Sequence, residues 1–344
     1  MPENRQTDDQ RIISVFSLLE WADSFLIDRK AGGLSKVLNY NDNLIFFKII
    51  LGKQEIKNYL RGAILKYGVY LPNFGDYFHT KFVAQLALEA EEAGWDGFFI
   101  WDHLTHPHHL DQPFADPWIL LTAVALATKK IRLGTMVTPI SRRRPWKLAK
   151  ETVTLDYLSE GRLILGVGLG THPVEFSNLG DEGDPKKRAE QLDEGLEILN
   201  GLWSGDEYEF HGKQYHIQPT RFLPGSFQKP RIPIWIAGIW PKKYPLERAA
   251  RWDGYFPLGG IRDERFLKPE IFSQIRKSIE EKRGNQQPFD LISSGYTSGS
   301  KKRGENSFVK KFEDFGATWW LEALDPWYKT SSQARKRIQE GPPR

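Results

Sequence analysis

The residues able to do chemistry sit at the ends of short apolar runs. Asp102-His103 directly follows the run Gly97–Trp101 (GFFIW). A histidine with its ordinary pKa near 6.5 gives or takes a proton around neutrality, so His103 is the candidate acid/base. Asp102 beside it could orient the ring or hydrogen-bond a cofactor. Glycines close other runs: Gly166, Gly168 and Gly170 around the end of Arg162–Val167, then Ala237-Gly238, then Gly259-Gly260. Without a Cβ, such positions let the backbone approach a ligand. Free N–H groups just before a helical segment can hold a phosphate, which suits Gly238 and Gly259-Gly260; a plain turn is the competing reading for each. Met136-Val137-Thr138-Pro139 ends a further run, and Thr171 follows the glycine exit at 168–170.

No metal set is expected. His106, His108 and His109 lie in a proline-containing loop without the spacing of a metal-binding helix, and surface histidines are the expectation. Neither a nucleophile elbow nor a phosphate-cradling P-loop occurs. Arg142-Arg143-Arg144 could meet an anion, although a run of arginines ahead of a helix reads first as a solvated face. A site with few protein acids and much apolar surface implies that a cofactor does the hard step.

The positioning elements alternate. Strands are expected at Tyr67–Leu71, Gly97–Trp101, Ile131–Val137, Arg162–Val167, Ile232–Ala237, Gly254–Leu258, Phe289–Gly295 and Ala317–Leu324. Helices are expected between and after them, at Thr80–Ala93, Trp118–Ala127, Pro145–Leu158, Lys187–Leu202, Leu246–Trp252, Asp263–Arg283, Ser307–Phe315 and Ser332–Gln339. Tyr208–Pro219 (YEFHGKQYHIQP) alternates about Gly212-Lys213 and reads as a hairpin inserted after the fourth helix. Eight strand–helix units predict a (β/α)8 TIM barrel over 65–344. The alternative, an open doubly wound sheet, normally carries its glycine fingerprint after the first strand, where this chain has PNFG. In a barrel the candidate residues share one mouth, at the strands' C-terminal ends. The loop 171–186 and the hairpin are expected lids.

Residues 1–64 differ from the rest. Ser14–Ile27 could form an amphipathic helix, and the segment reads either as a helical extension or as sequence upstream of a natural start near Leu65.

Composition bounds the remainder. The 344 residues are 40% hydrophobic and 27% charged, as in ordinary globular chains. A net charge of +4 does not argue for nucleic acid. The chain has no cysteine, which excludes disulfides and thiolate sites. No apolar run approaches the ~18–20 residues of a membrane helix, so a cytoplasmic protein is expected. With 12 Trp, 12 Tyr and 21 Phe, the aromatic content suits either a cleft for a flat ligand or a well-filled core.

The sequence resembles the bacterial luciferase-like family of flavin-dependent oxidoreductases. The resemblance lies in YGVYLPNFG (67–75), WDHL (101–104), IRLGTMVTP (131–139), RRPWKLAKETVTLDYLSEGRLILGVGLG (143–170), PIWIAG (233–238) and RAARWDGYFPL (248–258). It implies a luciferase-like barrel, reduced FMN or the deazaflavin coenzyme F420, a small-molecule substrate and often a homodimer. It also implies an acid/base role for His103 and cofactor contacts from Asp102, from Met136 and Val137, and from the turn carrying Gly168 and Gly170; strand-end position adds Thr138, Thr171, Ala237, Gly238, Gly259 and Gly260 as expected cofactor contacts. Family members often have a non-proline cis peptide at the place of Met136-Val137. Some sugar-phosphate-oxidising relatives carry a glutamate directly after the glycine turn; here that position is Thr171, with Glu175 four residues on. Three functions are therefore expected in order: a monooxygenase using reduced FMN and O2, an F420-dependent dehydrogenase or reductase, and a flavin-binding protein with little catalysis.

Overall fold

Eight of the apolar runs become the staves of a closed parallel barrel. A computed structural model describes residues 65–259, 266–284, 288–298, 303–325 and 330–343. The expectations for residues 1–64 and for Gly260 fall outside them. The strands are β1 (Lys66–Leu71), β2 (Gly97–Ile100), β3 (Arg132–Pro139), β4 (Leu163–Gly168), β7 (Ile234–Ile239), β8 (Gly254–Leu258), β9 (Asp290–Gly295) and β10 (Trp319–Ala323). Every neighbouring pair is parallel, and β1 pairs with both β2 and β10, which closes the (β/α)8 barrel. The antiparallel hairpin β5 (Glu207–His211) and β6 (His216–Arg221) stands apart.

The helices follow as α1 (Thr80–Glu92), α2 (Pro117–Ala127), α3 (Pro145–Leu158), α4 (Pro185–Ser204), α5 (Lys243–Ala249), α6 (Pro269–Arg283), α7 (Arg303–Asp314) and α8 (Ser331–Gln339). Several starts are set by local chemistry rather than by apolar periodicity. Asp116 accepts from the amides of Trp118 and Ile119, with Pro117 as the first helical residue. Asp184 and Pro185 do the same for α4, which therefore begins ahead of the expected Lys187. Helix α5 begins at Lys243, earlier than the expected Leu246, and ends before Trp252. Among the described residues no helix is long and apolar enough to cross a membrane.

Strand alternation divides the core in two. Phe99, Met136, Ile164, Trp235, Ala237, Phe256, Ile292, Trp319 and Leu321 fill the barrel, while the intervening residues pack beneath the helices. Phe99, Trp235 and Trp319 meet at ring separations of 5.2–5.8 Å. Such large rings fit because a neighbouring stave yields: a Cβ on Gly254 would lie 2.4 Å from Trp235 Cδ1.

Two glycines set how closely β3 and β4 approach. A Cβ on Gly134 would lie 1.9 Å from the Ile164 carbonyl oxygen, and one on Gly166 would lie 2.2 Å from that of Thr135. Their register then slips by one residue, from Thr135↔Leu165 to Thr138↔Val167. The slip contains Met136-Val137, whose peptide bond is cis.

The hairpin is in the expected place but is not a mouth lid. Glu194, midway along α4, accepts from the amides of Lys213, Gln214 and Tyr215 at 2.8, 2.9 and 3.0 Å. Ser226 beyond it donates to the Trp203 carbonyl at 2.8 Å. These bonds lay the hairpin along the outside of α4.

Candidate active site

Strand β2 delivers Asp102 and His103 to the mouth, and four other segments hold them there. Asn73, fully buried after β1, donates to the carbonyls of His103 (2.7 Å) and Ala115 (2.6 Å). It ties the loops after β1 and β2 to the start of α2. His103 Nδ1 lies 2.9 Å from Glu175 Oε2, with the histidine side chain 22% exposed and the glutamate 1%. Glu175 belongs to a single 3-10 turn, Pro173–Glu175, in the loop after β4. Its Oε1 accepts from the Leu104 amide at 2.9 Å and from Arg142 Nη1 at 2.8 Å.

Arg142 spans two buried carboxylates. It leaves β3 on a short 3-10 turn, and its Nη2 donates to Asp102 Oδ1 at 2.5 Å. Arg143 Nη2 reaches both oxygens of Asp102 at 3.0 Å, and Thr138 Oγ1 donates to Oδ2 at 2.7 Å. Two of the three arginines therefore depart from the solvated face expected of the run: the Arg142 side chain is 2% exposed and that of Arg143 15%, while Arg144 is exposed as expected. The charges of Arg142 and Arg143 are matched inside the protein and are not presented to an anion.

The same network changes the part of Asp102. Its carboxylate is wholly buried and its lone pairs are engaged by Thr138, Arg142 and Arg143. It anchors the arginines; the residue that orients His103 is Glu175. Burial alone would raise both acids. The Arg143 and Arg142 guanidiniums instead hold the Asp102 carboxyl below its usual range, and His103 and Arg142 do so for Glu175. With Nδ1 turned to the Glu175 carboxylate, the His103 ring keeps Nε2 as the nitrogen available for proton exchange.

The other expected residues fall into three groups. Met136 and Ala237 are buried in the barrel interior, and Tyr70, Val137 and Leu258 pack on that interior while staying partly open. Together they form an apolar floor below His103. Gly168 abuts Val137, since a Cβ there would come within 2.8 Å of Val137 Cγ2. Gly170 has φ 75° and its missing Cβ leaves room for the Phe176 ring. Gly238 likewise faces Pro245, so both glycines have a packing reason independent of any ligand. Thr171 is exposed and Gly259 half-buried.

His106 departs from the surface histidine expected of it. It is 5% exposed, and its ring lies 4.7 Å from His172 and 5.4 Å from His103. Burial, reinforced by His103, His172, His109 and His108, lowers its pKa to about 4. Among the described residues no group of His, Asp or Glu is arranged to hold a metal ion.

From sequence, Asn73, Arg142 and Glu175 have no part in holding His103, although Arg142 belongs to the run able to meet an anion and Glu175 stands beyond the glycine turn. Their available signals were a polar residue inside a strand-end turn and the coexistence of an arginine run with a lone acid in two mouth loops.

Fold and site together define a (β/α)8-barrel enzyme scaffold with a carboxylate-oriented histidine above an apolar floor. The chain belongs to the luciferase-like monooxygenase family, whose sequence profile matches residues 65–303. An uncharacterised protein of Mycobacterium tuberculosis is 31% identical over 247 residues, 66% of this chain and 82% of that protein. An F420-dependent glucose-6-phosphate dehydrogenase of Mycolicibacterium fortuitum is 30% identical over 224 residues, 63% of this chain and 64% of that enzyme. Among solved structures, a monooxygenase from Streptomyces bottropensis matches with TM-score 0.66 at 18% identity, over 80% of this chain and 97% of its own. An F420-dependent secondary alcohol dehydrogenase, solved with an F420–acetone adduct, matches with TM-score 0.66 at 17% identity, over 81% and 98%. Those two structures attest the fold. The Mycolicibacterium fortuitum relative is named for an oxidoreductase activity, and membership of the luciferase-like monooxygenase family supports an oxidoreductase.

Proposed function

We propose that this protein is a coenzyme F420-dependent oxidoreductase acting on a small alcohol or its carbonyl counterpart, with His103 as the proton acceptor and donor. The observation that carries this reading is the 2.9 Å contact between His103 Nδ1 and Glu175. Oxidising an alcohol separates a hydride from a hydroxyl proton, and the proton needs a positioned base. A neutral imidazole, fixed in tautomer by a buried carboxylate, is such a base. Oxygenation at a reduced flavin depends chiefly on excluding water and makes no comparable demand for a histidine–glutamate pair.

The residues fit a planar cofactor. Tyr70, Val137, Ala237 and Leu258 offer apolar surface on the barrel interior at the end where β2 delivers His103. The backbones at Gly168, Gly170, Gly238 and Gly259 rim it. A bound deazaflavin would supply the hydride acceptor there. Glu175 and Arg142 keep the imidazole in place, and Asn73 fixes its backbone. We further propose a homodimer: α2 is apolar on all sides, and Ile119 and Leu126 are 62% and 71% exposed on its outer face.

The test is fluorescence titration with coenzyme F420 and with FMN, oxidised and reduced, followed by turnover of the wild type and His103→Asn. F420 binding retained with turnover reduced about 10²–10⁴-fold is the expected result. Consumption of O2 with reduced FMN, and no reaction with F420, would move the assignment to flavin monooxygenation of a small organic substrate. Binding without turnover in either case would make the protein a flavin carrier.

A further inference from the structure

His103 must shed its proton after each alcohol oxidation, and the groups around it differ in their ability to accept it. Glu175 occupies Nδ1, is itself gripped by Arg142, and is held in its ionised form. His106 is buried, and its low pKa makes it a poor acceptor. His172 is the third neighbour, half-buried at the rim, with its ring 6.1 Å from that of His103 and tilted by 41°. It immediately precedes the turn that carries Glu175, and its carbonyl accepts the Glu175 amide at 3.0 Å. The 3-10 turn and the residue that caps it therefore supply two of the neighbours of the His103 ring, Glu175 against Nδ1 and half-buried His172 at the rim. The ring separation is one that a bridging water spans.

We propose that His172 relays the proton between Nε2 of His103 and bulk water. This rests on the oxidoreductase reading above. With a deazaflavin bound as hydride acceptor, breaking the alcohol's O–H bond would place its proton on His103 Nε2, and the part of that proton not taken up by the reduced cofactor would leave the ring from there. That proton then passes through a water to a ring nitrogen of His172, which releases it to solvent past the exposed His108. The reverse direction, carbonyl reduction, draws the proton in along the same path. The charged and titratable groups facing His172 are His103, His106, His108 and Glu175. Burial first, and then the positive charge that His103 can carry, lower the His172 pKa. The two rings thus share one proton more readily than they hold two.

Two measurements test the relay. In the cofactor-free protein, ¹⁵N-histidine NMR follows the titration of His172; His103→Asn removes a like-charged neighbour, and the His172 midpoint moves upward. A midpoint that does not move overturns the relay whatever reaction the enzyme performs. In the F420-loaded protein, His172→Gln leaves the single-turnover rate of hydride transfer from isopropanol or another reactive secondary alcohol unchanged. Steady-state turnover in dilute buffer falls about tenfold or more, and added imidazole restores it. A loss that imidazole does not restore, or one already present in the first turnover, assigns His172 a merely structural part and overturns the proposal. His106→Gln serves as the buried control and shows no imidazole response. Absence of F420 reduction by the wild type with every alcohol tried refutes the F420-dependent alcohol reading, and the relay with it. That failure is distinguished from failure of the relay alone by the wild-type arm.

Discussion

Replacing Arg142 with methionine removes the one cation shared by Asp102 and Glu175 while keeping most of the side-chain volume. The guanidinium lies 2.5 Å from Asp102 and 2.8 Å from Glu175, with 2% of the side chain exposed. With charge centres ~4 Å apart and an effective dielectric of about 20, each attraction is worth about 4 kcal/mol. Releasing the arginine from burial returns part of that sum, and removing one partner of a buried pair typically costs about 3–5 kcal/mol. The low end applies, because Asp102 keeps Arg143 and Thr138 and Glu175 keeps the Leu104 amide and His103. A loss of about 3 kcal/mol corresponds to a fall in Tm of about 5 °C for a domain of this size. The effect must depend on pH. Both carboxyls have folded-state pKa values below their unfolded ones, so their stabilisation is present above about pH 4 and is lost as pH falls through the folded values. Circular-dichroism melts at pH 7 and at pH 3 should therefore show a large gap between wild type and Arg142→Met at pH 7 that narrows at pH 3. Equal Tm values at pH 7, or a gap independent of pH, would refute the account of Arg142 as the tie between two ionised acids.

Three other outcomes follow from the same geometry. Gly166→Ala forces a Cβ to within 2.2 Å of the Thr135 carbonyl and is expected to cost about 3 kcal/mol in chemical denaturation. Gly183→Ala, whose Cβ would stand 3.4 Å from Ser177 Cβ, is the control and changes stability by about 0.5 kcal/mol or less. His106 is neutral in the folded protein down to about pH 4 and protonates near 6.5 when unfolded, so folding loses stability as pH falls between those values; His106→Gln flattens that part of the stability–pH curve measured by urea unfolding. Ile119→Glu with Leu126→Glu places charge on the outer face of α2, and sedimentation velocity should report a monomer while the far-ultraviolet spectrum stays native.

How much of this molecule was legible before its folding depends on the range of each interaction. Strand alternation, helix caps and glycine exits are written within a few neighbouring residues, and they were enough for eight strand–helix units, an inserted hairpin and a mouth carrying His103 and the glycine turns. The start of α4 was missed by two residues because Asp184 and Pro185, not apolar spacing, set it. Asp102 was placed correctly at a strand end, yet its partners arrive from positions 36 to 41 residues away.

Sequence alone thus determined the architecture and the ionisable residue at the centre of the mouth, because local pattern dictates each unit and parallel closure then brings all eight exits to one side. Tertiary structure decided what that residue is bonded to. The loops after β2, β3 and β4 meet only once the barrel has closed, with His103 and Glu175 72 residues apart and Arg142 and Glu175 33 apart. Closure turned Arg142 and Arg143 from an expected solvated face into a buried brace and made Glu175, rather than the adjacent Asp102, the partner of the histidine. Asp102 and His103 lie just beyond β2, and the carboxylate of Asp102 is already taken by Thr138, Arg142 and Arg143, so the histidine's partner comes from the loop after β4.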